Sequence, residues 1–325
     1  MIVRIFSTNR IFIIAFIPLV LILLRFSTFI QPFDVSTEGM LPWCSDIFRF
    51  LEHQAVLSHL LSAILITIQA YFLARISDDE RLFERTSNLP AFVLALSYSA
   101  LPEFHVLSPA LVANVFLVLA LRRILQIYNQ ASVRALVFRA GFYIGLASLF
   151  YKPSAAMYIL LVYQLNTFRT FNWREMVIPL LALLVPLFYL SSWYYLTGEM
   201  NVFRDWMFTH VAFLTFSDFQ FWSWPAFALF LFLTGMAFFH LLSTGSRRTI
   251  RLNNLYKVLS ASVLIFLLML LTRPPDVYSV FLLTLPSLCV IQSNYILGIR
   301  RNWLRELLAY ALVLSIIGRE ILRLI

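Results

Sequence analysis

Chemistry-bearing side chains gather in the connections between long apolar runs. Residues 31–53 read QPFDVSTEGMLPWCSDIFRFLEH and carry Asp34, Glu38, Asp46, Glu52 and His53. The turn ALPEFHVLSPA sets Glu103 two residues before His105, with prolines on either side. FYKPSAA places Lys152 before a proline. Residues 198–222 hold Arg204, Asp205, His210 and Asp218 among many aromatics, and TRPPDV holds Arg273 and Asp276. Carboxylates and imidazoles suit general acid–base work or a divalent cation. Arginine and lysine suit a phosphate or pyrophosphate. No metal set is specified by spacing. A divalent cation is the one cofactor these acids would accept.

Charged side chains in short loops also simply mark a water boundary, and Asp46 and Glu52 beside Arg49 read equally as helix-surface pairs of small energy. Grouping on one side strengthens the functional reading of the set. His59 and His240 fall inside apolar runs and read as hydrogen-bonded packing residues.

The runs that position these residues are membrane-grade. Of 325 residues, 61% are hydrophobic and 13% charged, against roughly 25% charged in soluble domains. The chain is therefore read as an integral membrane protein, a single unit over 1–325. Its net charge of +9 lies between the apolar runs, which excludes nucleic acid as the partner it would otherwise suggest. With 32 phenylalanines and 8 glycines, packing is expected to rest on aromatic bulk rather than on glycine contacts. Cys44 and Cys289 are too few for a metal site and are not expected to pair.

A span needs about 20 apolar residues, which gives an all-α polytopic bundle of about eleven spans. They centre on 10–30, 54–75, 89–104, 108–122, 139–151, 153–168, 176–197, 223–243, 258–272, 278–298 and 305–320. Alternate connections are rich in arginine, from Arg4 and Arg10 through Arg122 and Arg123 to Arg300 and Arg301. The others hold only Arg25, Arg49, Lys152, Arg204 and Arg273, with Arg319 and Arg323 near the end. The basic set is cytoplasmic by the positive-inside rule, so the N-terminus is inside. Arg319 and Arg323 pull against the outer C-terminus that eleven spans require. Residues 122–139 are expected to form an amphipathic cytoplasmic helix, and 75–88 a solvated turn. Trp43 and Phe48 are expected to anchor a short interfacial helix.

The string GLASLFYKPSAAMYILL, residues 145–161, resembles the helix–lysine–helix hairpin of the GT-C superfamily, the polyprenyl-phosphate-sugar-dependent glycosyltransferases that include aminoarabinose transferases and protein O-mannosyltransferases. LSPALVANVFLVLALRRIL resembles that superfamily's fourth helix. The likeness covers about residues 1–197, with 198–325 as additional helices. The same region is similar to an uncharacterised family of bacterial inner-membrane proteins. The resemblance implies a GT-C-like fold in the bacterial inner membrane and a polyprenyl-phosphate-linked substrate. It implies Asp34, or else Glu38, as the catalytic base or metal ligand. It makes Glu103 and His105 a second catalytic motif, and sets Lys152 near the lipid phosphate. Arg204 and Arg273 would share that phosphate role, with His53, His210, Asp218 and Asp276 as further outer-face candidates. The chain lacks the adjacent Asp-Glu pair common in these enzymes. A non-catalytic membrane subunit or lipid-binding scaffold, and a transporter or flippase, are the alternatives. Spans holding few polar residues beyond Gln69, Asn114, His240 and Gln292 speak against transport.

Overall fold

The computed structural model describes residues 6, 14–26, 44, 48, 50–51, 54–101, 104–130, 132–168, 172–208, 224–245, 248–270, 277–299 and 301–324. Twelve α-helices make up the described chain. They are α1 (Ile17–Leu24), α2 (Ala55–Asp79), α3 (Leu89–Ser99), α4 (Pro109–Gln126), α5 (Arg134–Phe150), α6 (Met157–Phe168), α7 (Trp173–Leu196), α8 (Met200–Phe208), α9 (Trp224–Thr244), α10 (Ile250–Met269), α11 (Val277–Gly298) and α12 (Asn302–Leu324). The chain is an all-α bundle, and eleven of these helices coincide with the apolar runs of the sequence. By length and composition five are able to cross a membrane: α2, α4, α7, α10 and α11.

Local sequence sets several helix starts. Ser108 accepts the Leu111 N–H and precedes Pro109, the usual order of cap and first-turn proline. Asn172 and Thr249 cap α7 and α10 in the same way. All eleven residues of α3 are buried, which fits its apolar character on every face.

At the centre stands α11, packed against α3, α4, α9 and α10. A polar contact ties each of these neighbours to it. Ser97 of α3 meets the Cys289 thiol at 3.3 Å, Ser262 of α10 donates to Ser287, and Gln292 donates to Thr234 of α9. The fourth contact has a backbone cause. Pro286 has no N–H, so the Leu282 carbonyl four residues earlier loses its helical partner. Asn114 of α4 supplies the donor at 3.1 Å and also donates to the Tyr98 hydroxyl at 2.7 Å. Tyr98 in turn donates to Gln69 of α2. Replacing Asn114 with leucine is expected to cost about 1–3 kcal/mol, because the carbonyl stays buried and unmet. In a Pro286→Ala background residue 286 regains its N–H. The penalty then shrinks, as a double-mutant cycle on thermal unfolding in detergent would read.

Three sequence expectations change. Residues 122–139 are not a surface helix. They divide into the end of α4, a 3-10 turn at Ile127–Asn129 and the start of α5. Ile124, Leu125, Ile127 and Val133 lie in the core, and Gln164 of α6 donates to the Ile124 carbonyl. Neighbouring helices, not lipid, receive the apolar face.

Residues 75–88 are not merely solvated. Arg81 takes the left-handed conformation (φ 50°) that ends α2. Beyond it Leu82, Ser87 and Asn88 are buried, and Glu80 pairs with Arg251 at 2.8 Å. Asp79 pairs with Arg122 at the same distance. Phe48 belongs to the buried core rather than to an interface, while Trp43 lies outside the described residues.

Glycine also does more than expected. Gly141 and Gly145 of α5 face α7 so closely that a Cβ at Gly145 would sit 2.5 Å from the Leu183 carbonyl oxygen. One at Gly141 would sit 2.8 Å from Pro179 Cα. These two residues let the backbones of α5 and α7 touch.

Candidate functional site

Most of the outer-connection residues singled out by sequence fall outside the described residues. These are Asp34, Glu38, His53, Glu103, His210, Asp218, Arg273 and Asp276. His105, Lys152 and Arg204 are described, and they occupy two different settings.

His105 sits in a buried polar cluster at the end of α3. A helix ending inside protein leaves its last carbonyls without intrahelical partners, at the negative end of its dipole. Two arginines meet them. Arg25, just past α1, donates to the Tyr98 carbonyl at 3.1 Å and to the Ser62 hydroxyl at 3.2 Å. Arg319 of α12 donates to the Ala100 and Ser99 carbonyls at 2.5 and 3.1 Å. Arg319 also pairs with its neighbour Glu320, which is fully buried.

The turn after α3 is held from α2 as well. The His105 carbonyl lies 2.7 Å from the Ser62 hydroxyl and 3.0 Å from His59 Nδ1, and Leu107 N–H donates to Ser58. The His105 ring lies fully buried, with Nε2 3.4 Å from both the Ser99 carbonyl and Arg319. Burial first, then the facing charges of Arg25 and Arg319, holds its imidazole well below the ordinary value, so it is neutral at pH 7. His59 is the hydrogen-bonded packing residue that sequence suggested. Arg25, Ser62, Tyr98, Arg319 and Glu320 were not singled out as site residues. The one sequence signal was the awkward fit of Arg319 to the charge pattern.

Lys152 opens a 3-10 turn, Lys152–Ala156, that joins α5 to α6. Its ammonium donates to the Trp206 carbonyl of α8 at 2.7 Å and lies 5.4 Å from the centre of the Trp206 ring. Burial pushes the Lys152 pKa down. The helix it grips is amphipathic. Phe203 and Trp206 pack with Tyr194, Leu187 and Leu190 of α7 and with Leu149 of α5. Arg204 points the other way, exposed, with Asp205 at 3.8 Å.

Among the described residues no hydrogen bond or ion pair joins His105 to Lys152. Nor do three histidine, cysteine or acidic side chains gather there as a metal site would need. The arrangement does two things chemically. One end of the bundle presents a lysine at a turn covered by an amphipathic helix. The other setting holds His105 and Leu107, just before α4, against α2.

These features belong to an all-α bundle in which five described helices are long and apolar enough to cross a membrane. The chain is similar to the crystal structure of ArnT from Cupriavidus metallidurans bound to undecaprenyl phosphate, with a TM-score of 0.53 and 16% identity. The match covers 79% of this chain and spans half the length of that one. No protein-family profile matches the chain, and no curated protein matches it.

Proposed function

We propose that the chain is a GT-C-like transferase of the bacterial inner membrane. It moves a sugar-type group from a polyprenyl phosphate on the outer face, with the N-terminus in the cytoplasm. The observation that carries this reading is the fold likeness to ArnT together with Lys152 at the helix–helix turn. In this mechanism Lys152 faces the lipid phosphate, aided by Arg204 and Arg273, and stabilises the charge that the leaving phosphate acquires. Asp34, or else Glu38, orients or deprotonates the acceptor. The His105 ring and carbonyl are engaged at the end of α3, which leaves the reacting role at that turn to Glu103. His105 holds the turn in place.

Two measurements test the proposal. Native mass spectrometry of the purified protein with undecaprenyl phosphate is expected to show a retained lipid. Lys152→Ala should weaken retention about tenfold, the value of one charge-assisted contact. Transfer of a labelled sugar from its polyprenyl phosphate to membrane acceptors should vanish in Asp34→Asn and Glu103→Gln while lipid retention persists. A wild-type protein that holds the lipid yet transfers nothing would make this a lipid-binding subunit instead. No retention at all would remove both readings.

A further inference from the structure

We infer that the bundle end where α9 meets α10 binds the phosphate of an anionic phospholipid. This site is independent of the transferase reading and lies with the Asp79–Arg122 and Glu80–Arg251 pairs, away from Lys152.

The argument begins with an imbalance of charge. Helix N-termini favour acidic side chains, because their free N–H groups and dipole are positive. The first turn of α10 has no acidic residue. Arg248 and Arg251 flank it instead. Arg251 is matched by Glu80. Arg248 lies over the Tyr256 ring at 4.6 Å, and its Nη1 is buried without a hydrogen-bond acceptor. Tyr256 is fixed by its hydroxyl, which donates to the Leu82 carbonyl, so the guanidinium rests on a rigid platform. A guanidinium stacked on a ring keeps its edge for an oxyanion.

His240 adds a second group. Its ring packs against Tyr295 and against Gly298, where any Cβ would lie 3.0 Å from the imidazole. Its Nδ1 is buried without a partner. Arg305 stands at the same end of α11, but its Nε and one Nη donate to the Ile299 and Leu297 carbonyls, which turns that guanidinium toward the helix end. Arg122 Nε, Arg251 Nε and Asn294 Nδ2 are also buried without an acceptor, but the two arginines are paired with carboxylates and Asn294 is uncharged, which leaves Arg248, with His240, as the candidate anion-binding pair. A phosphate diester matches both, as an acceptor for the guanidinium and for an imidazole N–H.

A lipid is favoured over a free anion by what lies beside them. Phe232, Met236, Phe239 and Leu242 form an exposed apolar stripe along α9 that ends next to His240. A headgroup at Arg248 places its acyl chains along that stripe.

The test uses the full chain in detergent, with phosphatidylglycerol, phosphatidylcholine or inorganic phosphate added, read by native mass spectrometry and thermal unfolding. Phosphatidylglycerol is expected to stay bound and raise the unfolding midpoint, and phosphatidylcholine is not. Arg248→Gln should cut phosphatidylglycerol occupancy about fivefold, with an unchanged midpoint in the absence of lipid. Arg85→Gln removes an equal charge from an exposed position in the 75–88 connection and should leave occupancy intact. Equal retention of the two lipids, or equal losses in the two variants, would overturn the proposal. So would a midpoint raised as far by inorganic phosphate as by phosphatidylglycerol, which would remove the lipid as the ligand.

Discussion

Replacing Arg319 with leucine is expected to cost about 3–5 kcal/mol and to leave little folded protein in detergent. Two losses combine. Glu320 is fully buried beside it and would lose that ion-pair partner. The Ala100 carbonyl at the end of α3 would also lose its donor, and the Ser99 carbonyl would keep only the longer contact from the His105 ring. The pair Arg319→Leu with Glu320→Leu separates them. Removing the buried carboxylate should recover part of the stability, since a buried ion pair replaced by apolar side chains is often neutral. What remains measures the helix-end carbonyls, about 1–3 kcal/mol for each one left unmet. A thermal midpoint for Arg319→Leu equal to wild type would show that the cluster contributes nothing to the fold.

Gly145→Val is expected to separate α7 from α5. The obstacle at that position is backbone, the Leu183 carbonyl oxygen 2.5 Å away and Leu183 Cα at 3.1 Å, so no side-chain rotation relieves it. Overpacking of this kind costs about 1–3 kcal/mol. The effect should be local, because α7 is largely exposed and leans mainly on α5. Hydrogen exchange would rise over α7 and α8 while α10 and α11 stay protected. The same change should loosen the Lys152 contact with Trp206, since α5 carries the lysine turn and α7 carries α8. Uniform loss of protection across all helices would contradict this account.

How much of this was legible depended on range. Helix positions followed from apolar runs, and the turn at Lys152 followed from a lysine and proline breaking one of them. The alternation of charged connections also sorts correctly in part. Arg122 and Arg251 meet the acids at the end of α2, while Arg25 and Arg319 meet at the far end of α3.

What could not be read was partnership across long stretches of chain. Arg25 and Arg319 looked like topology marks because a one-dimensional pattern shows charge but not which buried carbonyl it serves. The 122–139 stretch looked amphipathic because its apolar face is real, yet that face meets α5 and α6 instead of lipid. The 75–88 block showed mixed charge, and nothing in its own spacing revealed Arg251 as the partner of Glu80. Two glycines in a chain poor in them carried no pattern until α7 was seen against them.

The bond from Asn114 to the Leu282 carbonyl has a consequence in time. Its two ends are 168 residues apart. At a synthesis rate of about 5–20 residues per second, Asn114 leaves the ribosome roughly 8–34 s before its acceptor exists. Ser97 waits in the same way for Cys289. The early helices therefore enter the bilayer with part of their polar network, Asn114 on Tyr98 and Ser97 on Val93, in place, and the last third of the chain completes it. The nascent bundle must be sheltered until then, by the insertion machinery or by water at the helix ends. A stalled chain ending before α11 is expected to be handed to quality control rather than to persist as a stable fragment.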